Sequence, residues 1–207
     1  MNIRRIVIPL DAAAPHVEQL RALQRAFADA CNLLAPMVRD HRCWNRVALH
    51  HLAYRSLREA MPELGSQMAC NAIYSVCRAA RFVFQHPSSP FHVSRWGERP
   101  LPLLRFAPNC PVYFDRHTLS LRNGRVSLFT LEGRLRFDVG LSADDERAFR
   151  ALRLREVMLT SGVDGRYYLT FVLQEDEHES SGERSSPKRV AEASSDWPEY
   201  LMVEEAQ

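Results

Sequence analysis

Apolar residues along the chain change period twice, dividing it into one strand, a helical block and a run of strands. Ile3–Leu10 alternates with the two-residue period of a half-buried strand, cut short by Pro9 and Asp11. From Val17 the spacing becomes helical, through Leu20, Leu23, Phe27, Cys31 and Leu34, with a polar back face. Pro15 suits a first helical turn, and Pro36 is expected to end the helix. A second helix is expected from an N-cap at Asn45, with Leu49, Leu52, Ala53 and Leu57 before Pro62. A third is expected from an N-cap at Ser66. It buries Ala69, Ile73, Val76, Cys77, Ala80 and Phe84 and stops before Pro87.

Proline is frequent over residues 86–111, and strand signals follow. Short extended runs at 111–115 and 118–121 precede Asn123-Gly124, the strongest hairpin signal in the chain, because both turn positions take positive φ. Glu132-Gly133 marks a second turn, between strands at 126–130 and 135–139. Ser142 caps a short helix whose first turn holds Asp144, Asp145 and Glu146, the sign that suits that end of the dipole. Two long strands, 153–161 and 166–173, join through Asp164-Gly165. The expected fold class is α+β: a small oligonucleotide-binding-like β-barrel begun by residues 1–10 and completed by 88–174. Three helices at 11–87 are inserted after the first strand. Residues 175–207 are polar, acidic and Ser-rich, and are expected to form a disordered tail. Inside it, Trp197-Pro198-Glu199-Tyr200-Leu201-Met202-Val203 is an apolar cluster, either a docking peptide or an unselected read-through end.

The net charge of +2 conceals a split. Residues 1–174 hold 24 arginines and 15 carboxylates, a net of +9, whereas 175–207 hold 3 basic and 10 acidic residues, a net of −7. Such asymmetry is typical of nucleic-acid binders. Lys188 is the only lysine. Arginine's planar fork binds phosphate and stacks on bases, although a GC-rich genome enriches it too. No apolar run reaches transmembrane length, and the N-terminus lacks signal-peptide pattern. Cys31, Cys43, Cys70, Cys77 and Cys110 are odd in number without a CxxC pair, which fits free thiols in a reducing cytoplasm and no zinc site. No Ser-His-Asp set, phosphate-binding Gly loop or ligand spacing stands out, so no catalytic residue, metal or cofactor is expected.

Several segments resemble, in order, the N-terminal half of the TnpB family, transposon-encoded RNA-guided nucleases related to type V CRISPR effectors. Leu20-Arg21-Ala22-Leu23 through Ala30-Cys31-Asn32 is similar to the family's first helix. Leu57-Arg58, Pro62, Ser66-Gln67-Met68-Ala69 and Asn71-Ala72-Ile73 resemble a later one. Tyr113-Phe114-Asp115, residues 125–134 and Asp164-Gly165-Arg166-Tyr167-Tyr168-Leu169 resemble its barrel strands. The family continues into a RuvC-like nuclease with a metal-binding Asp. Here Gln174 runs instead into Glu175-Asp176-Glu177-His178-Glu179-Ser180. Gly162-Val163-Asp164-Gly165 superficially looks like the nuclease motif but reads as a tight turn between two strands.

The resemblance implies a guide-type RNA and, through it, target DNA, with base pairing reading sequence and protein reading backbone and a short flanking motif. Arg4, Arg5, Arg122, Arg125, Arg134 and Arg136 are expected to track RNA backbone from the barrel. Tyr54, Arg55, Arg58, Arg78 and Arg81 are candidate phosphate contacts on the helices. Gln67 and Asn71, four apart, are spaced to reach adjacent base edges. Trp96, between Arg95 and Arg99, either stacks on a base or pins its loop. Three functions follow as expectations: a nuclease-lacking repressor or targeting subunit, the recognition half of a split nuclease with a separate nuclease partner, or an unguided RNA-binding protein or decaying transposon fragment.

Overall fold

The computed structural model describes residues 3–175 and 197–205. Strand β1 (Ile3–Leu10) leads into α1 (Ala14–His41), which runs through Pro36 instead of ending there. The proline removes one backbone N–H, but Leu34, Ala35 and Val38 around it are buried, so packing holds the final turns helical. The helix closes at Arg42, whose φ of 47° is left-handed. Backbone N–H groups of Arg42 and Cys43 bond the Arg39 and Val38 carbonyls there. Glycine usually fills that position.

Helix α2 (Arg46–Ala60) is capped as the sequence predicts: the Asn45 side chain accepts from the N–H groups of Val47 and Ala48 at 3.0 and 3.1 Å. Helix α3 (Ser66–Gln85) is not capped by Ser66, which already lies in its first turn. Gly65, at φ 76°, holds the cap position with no side-chain bond. Twelve of the 20 residues of α3 are buried, so it is covered on more than one side.

The remaining strands are β2 (Leu103–Phe106), β3 (Val112–Phe114), β4 (Leu119–Arg122), β5 (Arg125–Thr130), β6 (Gly133–Asp138), β7 (Arg153–Ser161), β8 (Tyr167–Gln174) and β9 (Leu201–Glu204). Helix α4 (Ala143–Ala151) separates β6 from β7, and Ser142 caps it as expected, accepting from the N–H of Asp145 at 3.1 Å. The strands form three antiparallel sheets: β1-β8-β7-β3, β4-β5-β6 and β2-β9. As expected, the first strand joins the last ones, with Ile6 opposite Phe171, which lies opposite Val157, and the three helices follow it.

The expected closed barrel does not form among the described residues. The outer edge of β1 is unpaired and carries Pro9, which has no N–H to extend a ladder. β2 is drawn off to pair with β9, while β4, β5 and β6 pair only among themselves. The apolar faces nevertheless share one core: Ile6, Ile8, Leu169 and Phe171 from one sheet, Val126, Leu128, Leu135 and Phe137 from another. Phe149 of α4 packs edge-on against Phe171, centroids 5.2 Å apart.

The expected disordered tail is corrected in its last part; residues 176–196 lie outside the described residues. The apolar cluster folds back on its own chain. Leu201 pairs with Phe106, Glu204 with Leu103, and the Trp197 ring sits 5.5 Å from Phe82 and 5.7 Å from Phe91. It is a strand of the fold, not a free docking peptide.

Two buried or half-buried amides tie α1 to the strands. Asn32 brackets Phe106, donating to its carbonyl at 2.9 Å and accepting from its N–H at 2.8 Å, so the side chain replaces a neighbouring strand along β2. Asn32→Ala leaves both backbone groups unpaired and should cost about 1–3 kcal/mol, read as a lower urea midpoint at unchanged slope.

All five cysteines are free; Cys31, Cys77 and Cys110 are buried, Cys43 and Cys70 half-buried. Burial pushes the Cys77 thiol up to about 11 and raises Cys31 strongly. A thiol reagent at pH 8 should therefore modify at most Cys43 and Cys70 in the native protein and all five after denaturation. No helix among the described residues is long and apolar enough to cross a membrane.

Candidate nucleic-acid interface

Strand alternation sorts the arginines of β4-β5-β6. One face of this sheet is buried through Leu119, Val126, Leu128, Thr130, Leu135 and Phe137. The other carries Arg122, Arg125, Arg134 and Arg136, so all four predicted positions share one outward face. The Asn123-Gly124 turn, at φ 50° and 69°, sets this register and places Arg122 directly opposite Arg125. Like charges in that arrangement repel. Asp138 pairs with Arg125 at 2.8 Å. Arg134 is spent on structure, donating to Ser127 Oγ at 3.0 Å and to the carbonyls of His117, Thr118 and Ser127. Arg122 and Arg136 are exposed and have no hydrogen-bond or carboxylate partner among the described residues.

Arg4 and Arg5 do not belong to this cluster. They sit on β1 in the four-stranded sheet, beside an open groove against α4 that Arg147 also lines. Arg4 pairs with Asp145 at 2.8 Å, and Arg5 is exposed. The Ser142 hydroxyl, then the Arg4 guanidinium, hold the Asp145 carboxyl below its usual range.

The helical candidates divide more sharply. Asn71 is buried at 5% exposure, with its amide directed at Thr118 Oγ1, 3.4 Å away, and Met68 Sδ. Gln67 is exposed. The expected pair of base-reading amides is thus not presented together: Asn71 packs α3 against the turn before β4. Arg55 pairs with Glu59 at 2.9 Å, and Arg58 donates to the carbonyls of Met61 and Pro62 beyond the end of α2. Tyr54 stacks on His50 at 4.5 Å. Arg78 and Tyr74 both hydrogen-bond the Glu156 carboxylate, joining α3 to β7. Among the described residues Arg81 is the one of these helical arginines that is exposed without a partner.

Asp164 holds a turn between β7 and β8. It accepts from the Arg166 N–H at 3.1 Å and the Tyr168 hydroxyl at 2.7 Å, which together keep its carboxyl below the usual range. Among the described residues no group of three His, Cys, Asp or Glu side chains is placed to hold a metal ion. The sequence reading missed Gln24, which is 2% exposed and links three elements, and Arg42, whose left-handed backbone carries it to the loop around Trp96. Arg42 had one legible signal, a large side chain where a helix ends without Gly or Asn. No family model matches the chain, and a search of curated proteins finds no match.

Proposed function

We propose that this protein binds nucleic acid by gripping phosphates on the outward face of β4-β5-β6. In this reading it is a TnpB-like recognition protein: it holds a structured guide-type RNA and, through that RNA, reaches target DNA as a repressor or targeting subunit. The observation that carries the reading is the retained repulsion on that face. Arg122 faces Arg125 across the hairpin, Arg134 and Arg136 add two further charges, and among the described residues Asp138 is the carboxylate paired to the group. An isolated fold gains nothing from this arrangement. A polyanion relieves it, releasing counterions as it binds. Arg5 and Arg81 extend the set of guanidiniums that have no partner among the described residues. For the split-nuclease reading, the apolar cluster at 197–203 is one contact fewer to offer a separate partner, because Leu201–Glu204 pairs with β2 within the chain.

Two measurements test the proposal. Protein purified from its native host should bring down one abundant RNA with a constant region and a variable end. Heterogeneous RNA leaves an unguided RNA binder, and none overturns the reading. In the second, Arg122→Ala with Arg136→Ala should weaken RNA binding about tenfold at low salt. The slope of log affinity against log salt should fall by about 1.4–1.8, the equivalent of two phosphate contacts. An unchanged slope removes this face from the interface.

A further inference from the structure

A second cationic surface forms where the end of α1 meets the loop before β2. Arg42 Nη2 donates to the Arg99 carbonyl at 2.6 Å, and Arg99 Nη2 donates to the Arg95 carbonyl at 2.7 Å. The Arg99 guanidinium lies 5.3 Å from the centre of the Trp96 ring. All three arginines are exposed. Many arginines elsewhere lie within 4.0 Å of a carboxylate, such as Arg4, Arg55 and Arg125. Among the described residues Arg42 and Arg99 are held by carbonyls instead, and Arg95 has no carboxylate within that distance. Each guanidinium has five N–H donors, most of them left over for a ligand.

Two local penalties mark the same place. Arg42 adopts a left-handed conformation that disfavours any side chain, at a position where glycine is usual. Trp96 Nε1 is shut from solvent with no acceptor among the described residues, an unfavourable state for a buried N–H. Backbone strain of this kind collects at binding sites.

We infer that Arg42, Arg95 and Arg99, at the loop that carries Trp96, form a second phosphate-binding site for a nucleic-acid backbone, separate from the β4-β5-β6 face. The inference rests on the proposed nucleic-acid ligand and adds a contact to it. Phosphodiester oxygens accept from guanidinium forks in pairs, and the Arg99 guanidinium is held over the Trp96 ring.

The test uses the full chain with a labelled RNA hairpin, titrated at several salt concentrations. Arg42→Gly removes one charge and also relaxes the backbone. Combined with Arg95→Ala and Arg99→Ala it should weaken binding about tenfold and lower the salt slope by about two. Arg95→Lys with Arg99→Lys, which keeps both charges, should retain most of the slope. Arg42→Gly alone should keep or raise the melting temperature while lowering the slope by about one, so a folding defect in the triple variant cannot hide the outcome. If these variants leave affinity and slope unchanged while Arg122→Ala with Arg136→Ala reduces both, this site falls and the β-face reading stands. If the wild-type chain binds no nucleic acid, both fall.

Discussion

Trp197→Ala lowers the melting temperature by about 5–10 °C. A disordered acidic tail would give no change, and the difference follows from where the ring sits. Trp197 lies between Phe82 and Phe91, and its indole N–H donates to the Leu201 carbonyl at 2.7 Å, fixing the turn that delivers Leu201 to the core at 3% exposure. Removing a half-buried indole costs about 2–3 kcal/mol, below the value for a fully buried one, and each kcal/mol moves the transition by about 2–4 °C at this chain length. Leu201→Ala should lower it by a similar amount. Met202→Ala, at 53% exposure on the same strand, is the control and should lie within about 0.5 kcal/mol of wild type. A chain cut after Glu175 should regain part of the lost stability when a synthetic peptide of residues 197–207 is added, in proportion to peptide concentration.

Gln24→Leu should be the most destabilising single change that preserves side-chain volume. The amide donates to the carbonyls of Asn109 and Cys110 at 2.9 and 3.1 Å and accepts from the Tyr167 hydroxyl at 3.3 Å, joining α1, the turn before β3 and β8. Leucine fills the space but strands two carbonyls and a hydroxyl. At about 1–3 kcal/mol for each buried group left unpaired, less what relaxation and water recover, the loss is about 3 kcal/mol. Tyr167→Phe removes one partner only and should cost about 1 kcal/mol. In urea, both variants should shift the midpoint without changing the slope. A silent Gln24→Leu would mean that water reaches this junction.

What could be read from the sequence was what local rules decide. The alternation of Ile3–Leu10 identified a strand because one of its faces is buried, and Asn123-Gly124 identified a hairpin because few residue pairs tolerate two positive φ angles. Pro36 misled because tertiary packing overrode a local preference. Residues 201–204 were missed because four apolar-rich positions were averaged into an acidic stretch. Asn71 looked exposed on a one-sided helix. α3 is buried on a second side as well, and the unusually wide run from Met68 to Ala80 was the available hint. In the candidate site, residue type was legible and availability was not. Arg78, Arg125 and Arg134 are engaged by partners that only the register and helix packing bring near. Arg122 and Arg136 are left over by the same geometry.

The pairing of β1 with β8 sets the order in which the protein can be completed on the ribosome. Ile3 lies opposite Gln174, about 170 residues later in the chain. At about 5–20 residues per second, the first strand waits roughly 10–30 s for its partner to be synthesised. Through that interval Ile6, Ile8 and Leu10 have no sheet to join, while the helices between can already pack on one another. The earliest segment made is thus among the last placed. A chaperone that shields the emerging N-terminus would act during that interval.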